Sequence, residues 1–354
     1  MKKIAIIGNS DFNQLSEQLI RHLKEKYVFF TYHTSVNSKK ISNGKLSFDL
    51  THKSTIKYVK VPLVGRYLFS IIHALYYADV LLLKGITLAW LFPVIRILSR
   101  KKIILQIHHA DIAAKKIDVF TKHFFSLKEK IALHYCHRII TSHESIRDHI
   151  AIKYNINAEL IEQGVDHVER IETTFTDHLR YPFLKHTYVV SFFEEDSGNY
   201  SETVLNSFKQ VKNKYLVMIG DWDKNQYSLC VKNRYAAYSN IFMLDIIYNQ
   251  RDLDLIRSNA ILYIHTSSED NQCLQLLEAM SVRLPVLTYD CISNKYFTEA
   301  KATYFKSIED IANFLNSLSM ENLRKNSFKM KDIISERYRW SFAAEKYDTI
   351  FRML

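Results

Sequence analysis

The chain has 354 residues, 47% of them hydrophobic and 24% charged, with few glycines (7) and prolines (4). That composition excludes a disordered or fibrous protein and suffices for two domains, each with its own core. The formal charge of +11 is lopsided, because residues 1–180 carry 27 Lys and Arg against 16 Asp and Glu, whereas residues 181–354 carry 21 of each. The first half either faces an anionic partner, a membrane surface or nucleic acid, or presents a merely solvated lysine-rich face.

In chain order, KIAIIG and the amphipathic stretch Gln14 to Lys26 read as strand, turn and helix. The apolar run at the start is too short for a signal peptide, so none is expected. Further strand-like runs follow in YVFFTYH, IKYVKVP, DVLLLKG, KIILQIHH and HRIITS, separated by helical patterns such as RYLFSIIHALYYA and SLKEKIALHYC. The longest apolar run, Ile86 to Leu98, is broken by Pro93 and Arg96, and about 18 apolar residues are needed to span a bilayer. After a polar stretch from Asp166 to Pro182 the pattern restarts with TYVVSFF, KYLVMIG, NIFMLDI, AILYIHT and LPVLTYD. The tail RYRWSFAAEKYDTIFRML reads as one amphipathic helix. Such alternation predicts an α/β protein with two doubly wound parallel sheets and a cleft between them. The expected domains are 1–170, 171–335 and a terminal helix over 336–354. Cys136, Cys230, Cys273 and Cys291 lack metal-ligand spacing and read as reduced core thiols.

Ligands of doubly wound folds bind beyond the carboxyl ends of the strands, and several polar clusters fall there. Gly8-Asn9-Ser10-Asp11 lacks the G-x-G-x-x-G pattern, which disfavours a nicotinamide dinucleotide and leaves a phosphate loop, an acceptor loop or an ordinary turn. His108-His109-Ala110-Asp111 follows the strand KIILQI; a histidine there either bonds a sugar hydroxyl, assists proton transfer or is structural. The lysines and phenylalanines of KKIDVFTKHFFSLKEK suit either a lipid-headgroup surface or plain helix packing. In SSEDNQCLQLLEAM, Asp270 is a good helix N-cap, and the free N–H groups of Asn271, Gln272 and Cys273 favour an anion such as a diphosphate. Glu278, two turns on, suits the vicinal hydroxyls of a ribose; the alternative is an exposed surface glutamate. Two further clusters are Asp290-Cys291-Ile292-Ser293-Asn294 and GDWDKNQY, where Lys224 either serves a diphosphate or is only solvated.

Taken together, these blocks resemble the retaining nucleotide-sugar glycosyltransferases of the GT-B fold, of the family 4 type, and look closest to bacterial rhamnosyltransferase-like enzymes of surface polysaccharides. QIHHADIAAKK is similar to a His-Gly-x-Glu-Trp-Lys-Arg block, IGDWDKNQY to a Gly-Asn-Trp block and NIFMLDIIY to an Asn-Ile-x-Leu-x-x-x-Ile-Tyr block. YIHTSSEDNQCLQLLEAM resembles a loop and Leu-Glu-Ala-Met helix, DCISNKYF an Asp-Asn-x-x-Asn-Arg-Glu-Val run, and RWSFAAEKYDTIF the terminal helix that crosses back to the first domain. The resemblance implies two Rossmann-like domains, the acceptor on the first and the nucleotide sugar on the second. It implies Asp270 and His108 at the transferred sugar and Glu278 at the ribose. The remaining donor residues are Asn271, Gln272, Cys273, Lys224, Tyr248 (near the base), Asp290 and Asn294. Gly8, Asn9, His109, Asp111, Lys115 and Lys116 would meet the acceptor. The implied reaction uses no metal and no cofactor, with a nucleotide-diphosphate sugar as co-substrate; the donor's own phosphate takes the acceptor proton. The implied partners are a glycan or lipid-linked oligosaccharide and an anionic membrane surface at the cytoplasmic face, rather than nucleic acid.

Three positions depart from the family pattern. The first loop, GNSDFNQL, has one glycine instead of a pair, and Asp270-Asn271 stands where a Gly-Gly precedes the Leu-Glu-Ala-Met helix. The region that usually supplies Arg and Lys to the diphosphate reads SFFEEDSGNY, with Glu194, Glu195 and Asp196. Close like charges repel by roughly 4 kcal/mol per pair at low effective dielectric. Lys224 and the helix N-terminus are then left to neutralise the diphosphate, unless the acidic loop points away or the donor site is weakened.

Overall fold

The computed structural model describes residues 1–8, 13–34, 56–61, 66–107, 119–193, 200–211, 213–268 and 273–354. It divides into two units, the first formed by Met1–Gly164 with Trp340–Leu354 and the second by Val165–Arg339.

The first unit is built on strands β1 (Lys3–Ile7), β2 (Val28–Thr34), β3 (Ile56–Val61), β4 (Val80–Lys84), β5 (Lys102–Ile107), β6 (Arg138–Thr141) and β7 (Glu159–Leu160). They pair in parallel in the order β3-β2-β1-β4-β5-β6-β7. Successive side chains of a strand point to opposite faces, and here both faces are covered. Ile4, Ile6, Leu82 and Ile104 join one core, and Ala5, Ile7, Leu81 and Leu105 the other. This is why these strands are runs of aliphatic residues rather than polar–apolar alternations. One face is covered by the Asn13–Leu23 helix, through Leu19, Ile20 and Leu23, and by the Trp340–Met353 helix. The other is covered by the helices Arg66–Tyr77, Leu91–Leu98, Val119–Tyr135 and Glu144–Tyr154.

The second unit repeats the plan with β8 (Tyr188–Phe192), β9 (Tyr215–Gly220), β10 (Ile241–Asp245), β11 (Leu262–His265), β12 (Val286–Tyr289) and β13 (Thr303–Phe305). All pairs are parallel, in the order β10-β9-β8-β11-β12-β13. Tyr188, Val190, Phe192, Val217 and Ile219 face one core, Val189, Leu216 and Met218 the other.

The tail is one helix, Trp340–Met353, which begins a few residues inside RYRWSFAAEKYDTIFRML. A helix over Met320–Arg337 ends at Tyr338, and a second, Trp340–Met353, belongs to the first unit. Tyr338 is buried and its carbonyl accepts from the Val165 N–H at 2.9 Å, so the two places where the chain leaves the second unit lie side by side. The terminal helix buries Trp340, Ala343, Ala344, Tyr347, Ile350 and Phe351, the spacing of a single apolar stripe. Asp348 on the same helix accepts from Lys26 Nζ at 2.7 Å and from the Tyr27 hydroxyl at 2.6 Å. The chain divides at Gly164 and Arg339, a few residues from the expected 170 and 335. Cys230 is exposed on the Gln226–Tyr235 helix and is therefore not a core thiol. No helix among the described residues is long and apolar enough to cross a membrane.

Candidate functional site

Because the strands of each sheet run parallel, everything that follows a strand collects on one edge. In the second unit that edge receives Asp221 to Lys224 after β9, Ile246 to Tyr248 after β10, Thr266 to Ser268 after β11 and Asp290 after β12. Lys224 and Tyr248 are exposed there, Tyr248 at 77%. Trp222 beside them is buried, its indole N–H donating to the Leu244 carbonyl at 2.7 Å, which fixes the turn that carries Lys224. Asp290 is held by Lys295 and by Lys306 at 3.3 Å, and the lysine contacts pull its pKa down. Asn294 serves the framework: its buried amide donates to the carbonyls of Ser267 at 2.8 Å and Tyr289 at 2.9 Å, clamping the ends of β11 and β12 together.

Glu278 sits on the Cys273–Ser281 helix with Leu276, Leu277, Ala279 and Met280 buried around it, and is itself only 4% exposed. Its carboxylate meets Nη2 of Arg257 at 2.6 Å and Nε2 of His167 at 3.5 Å. Arg257 comes from the Gln250–Asn259 helix and is 1% exposed; Asp254 on the same helix lies 3.7 Å from its Nη1. Burial by itself would raise the pKa of Glu278, but the Arg257 guanidinium and then His167 outweigh it and leave it lowered. Burial pushes Asp254 up to about 6, with Gln250 and Arg257 opposing. The guanidinium also lies over the Phe192 ring, 5.3 Å from its centroid. A cation does therefore stand at the end of β8, the first strand of the unit, delivered by a helix more than sixty residues downstream.

Sequence reasoning missed Arg257 and His167. An arginine in QRDLDLIRSN looks like any surface helix residue, and only the fold turns it inward. His265, at the end of β11, was also missed: it is 1% exposed, its Nδ1 lies 3.0 Å from the Tyr263 hydroxyl, and burial lowers its pKa to about 3.

In the first unit, Gly8 closes β1 beside Lys84, which closes β4, the place where the strand order reverses. A Cβ at Gly8 would stand 2.6 Å from Lys84 Cβ, so only glycine lets the two strand ends approach. Lys84 Nζ donates to Ser16 Oγ at 2.7 Å, and burial lowers its pKa to about 7. An amine so poised can pair with an anion or exchange a proton near neutral pH. Asn9, His108, His109, Asp111, Lys115 and Lys116, like Asp270, Asn271, Gln272 and the acidic Glu194 to Asp196, lie outside the described residues, as does the side chain of Cys273.

Residues 198–330 match the family model for glycosyl transferases group 1. The matched segment takes in Lys224, Tyr248, Arg257, Glu278, Asp290 and Asn294. Among curated proteins there is no significant match. Solved structures align over the whole length. HepE of Anabaena, solved with UDP-glucose, superposes with a TM-score of 0.76 at 12% identity, covering 100% of both chains. Sucrose-phosphate synthase of Thermosynechococcus elongatus gives 0.75 at 13%, covering 100% of this chain and 99% of the other. WaaG, a glycosyltransferase involved in lipopolysaccharide biosynthesis, gives 0.69 at 13%, covering 99% of each. At these identities the likeness shows the fold, which is GT-B.

Two outcomes test the site's electrostatics. Arg257→Met strands a buried carboxylate and should cost about 3–5 kcal/mol in denaturant unfolding, most of it recovered in the double variant with Glu278→Gln; additive losses would contradict the pairing. For Lys84, the unfolded chain holds a proton between pH about 7 and 10.5 that the folded chain does not. Stability therefore rises with pH across that window and is lost as pH falls through about 7. Lys84→Met should flatten this part of the stability–pH profile; parallel profiles would rule the buried amine out.

Proposed function

We propose that this chain is a retaining, metal-independent GT-B glycosyltransferase of the family 4 type. It moves one sugar from a nucleoside-diphosphate donor to a growing, lipid-linked bacterial surface glycan at the inner face of the plasma membrane. The observation that carries the reading is the family match over residues 198–330, which encloses the Glu278 helix and the strand edge around it. In this reading the second unit binds the donor. Glu278 takes the ribose hydroxyls, and Asn271, Gln272 and Cys273 with Lys224 take the diphosphate. Asp270 and His108 contact the transferred sugar, and Tyr248 lies at the base. A carboxylate has about four lone-pair sites, so Glu278 can accept a ribose while keeping Arg257. The first unit, with Gly8, Asn9, His109, Asp111, Lys115 and Lys116, takes the acceptor. Fixed dipoles and charges around the departing diphosphate supply most of the rate.

One observation favours a second reading, a catalytically degenerate GT-B protein that binds or scaffolds a partner. Glu278 is 4% exposed with one oxygen on Arg257 and the other on His167, the arrangement of a structural ion pair.

Thermal-shift titration across a panel of nucleoside-diphosphate sugars, then turnover with the most stabilising one, separates the two. The transferase reading expects one donor to raise Tm and to be consumed, with the product keeping the donor's anomeric configuration. Asp270→Ala should lower turnover by about a hundredfold or more. If no donor stabilises the chain or turns over, the transferase reading fails; cellular activity that survives Glu278→Ala supports the scaffold.

A further inference from the structure

Nine large apolar side chains between residues 68 and 98 are exposed, a concentration not repeated elsewhere among the described residues. Eight sit on two helices of the first unit, and the ninth, Trp90, directly precedes the second. Arg66–Tyr77 turns Ile71 and Ala74 into the core, and Leu91–Leu98 turns in Phe92 and Ile95. Both helices pack on the same core, so their outward faces look away from the same side of the sheet. On the first helix those faces carry Phe69, Ile72 and Tyr76, at 55%, 57% and 79% exposure. The second carries Ile97 and Leu98, at 72% and 80%, and Trp90 precedes it at 43%. A soluble surface seldom keeps so many such side chains in water without a use for them.

The sequence that carries this face is predominantly basic. Between Ile56 and Ile107 the sequence has eight Lys and Arg and one acid, Asp79. Arg96 and Arg100 are exposed on either side of Ile97 and Leu98. Apolar side chains, aromatic rings with a polar edge and flanking arginines are what a bilayer interface accepts: rings at headgroup depth, aliphatic tips below, guanidinium groups on lipid phosphates. Nucleic acid would neutralise the arginines but gains nothing from burying Ile97 and Leu98.

We propose that the outward faces of the Arg66–Tyr77 and Leu91–Leu98 helices form the surface by which the first unit seats on an anionic lipid bilayer. Ile97, Leu98 and Phe69 enter the interface, and Arg96 and Arg100 pair with its phosphates. The inference rests on the proposed membrane-facing role of the basic unit and names the face responsible. Docking does not depend on the state of the donor site.

Tryptophan emission reports this face selectively. Of the three tryptophans, Trp222 and Trp340 are buried at 1% and 3% exposure, and Trp90 alone is exposed. The full chain is mixed, without donor, with phosphatidylcholine vesicles and with phosphatidylcholine–phosphatidylglycerol vesicles. Expected are co-sedimentation and a blue shift of Trp90 emission with the anionic vesicles only, weakened by added salt. Ile97→Glu with Leu98→Glu should weaken partitioning by more than about tenfold with Tm unchanged, because neither side chain is in the core. Arg96→Glu with Arg100→Glu should weaken it as well. Absence of binding to anionic vesicles, binding that the Ile97/Leu98 variant retains, or an unshifted Trp90 each overturns the proposal. A concentration-dependent dimer abolished by the same variant, without vesicle binding, would assign the face to a second copy instead. A chain that binds vesicles but turns over no donor keeps this surface and loses the transferase reading; turnover on a soluble acceptor without vesicle binding does the reverse.

Discussion

A carboxylate inside a leucine-rich helix has to be compensated where it sits, because the helix cannot carry it to water. Glu278 is compensated by Arg257 from one helix and His167 from the segment that enters the second unit. The pair ties together three pieces of the second unit: the Cys273–Ser281 helix, the Gln250–Asn259 helix and the stretch after Val165. Asp254 and the Glu169 N–H that it accepts extend the cluster along that same stretch. Two carboxylates share one arginine: burial wins at Asp254 and pushes it up towards its neutral form, whereas at Glu278 Arg257 and His167 outweigh burial. A nucleotide approaching Glu278 would meet an acid already oriented and already partnered. In the transferase reading Arg257 and His167 position the ribose-binding group; in the scaffold reading they are its whole purpose.

The parallel sheets impose the second constraint. With both faces covered by helices, the sheets leave only their edges and the outer faces of the covering helices for function. The carboxyl edges collect the polar groups: Gly8 and Lys84 in the first unit, Lys224, Tyr248 and Asp290 in the second. The outer helical faces should be polar, and in most places they are. The helices Arg66–Tyr77 and Leu91–Leu98 are the exception, and the exposed Arg96 and Arg100 flank the apolar side chains of the second.

The fold was legible because buried parallel strands leave an unmistakable trace of Val, Ile, Leu and Phe. Only β7 and β13 escaped, two and three residues long, too short to carry a pattern. The tail was legible as one helix, and only its start was placed early, because Tyr338 caps the helix before it. The site was legible in part. Glu278 stood out because its neighbours are apolar, whereas Arg257 and His167 became visible only when the fold brought them to it. Asn294 sits at a strand end, as a ligand residue would, but its amide protons hold two strand ends together. RYLFSIIHALYYA gave no sign of its exposed face, since a helix apolar on both sides does not say which one is covered.

Calorimetric titration of the best-stabilising nucleoside-diphosphate sugar into the full chain and into Glu278→Gln tests the central claim most directly. The account predicts saturable binding at one site per chain, weakened by about tenfold or more when the carboxylate that accepts the ribose hydroxyls loses its charge. Equal affinity in the two proteins, or no saturable binding in either, would contradict it.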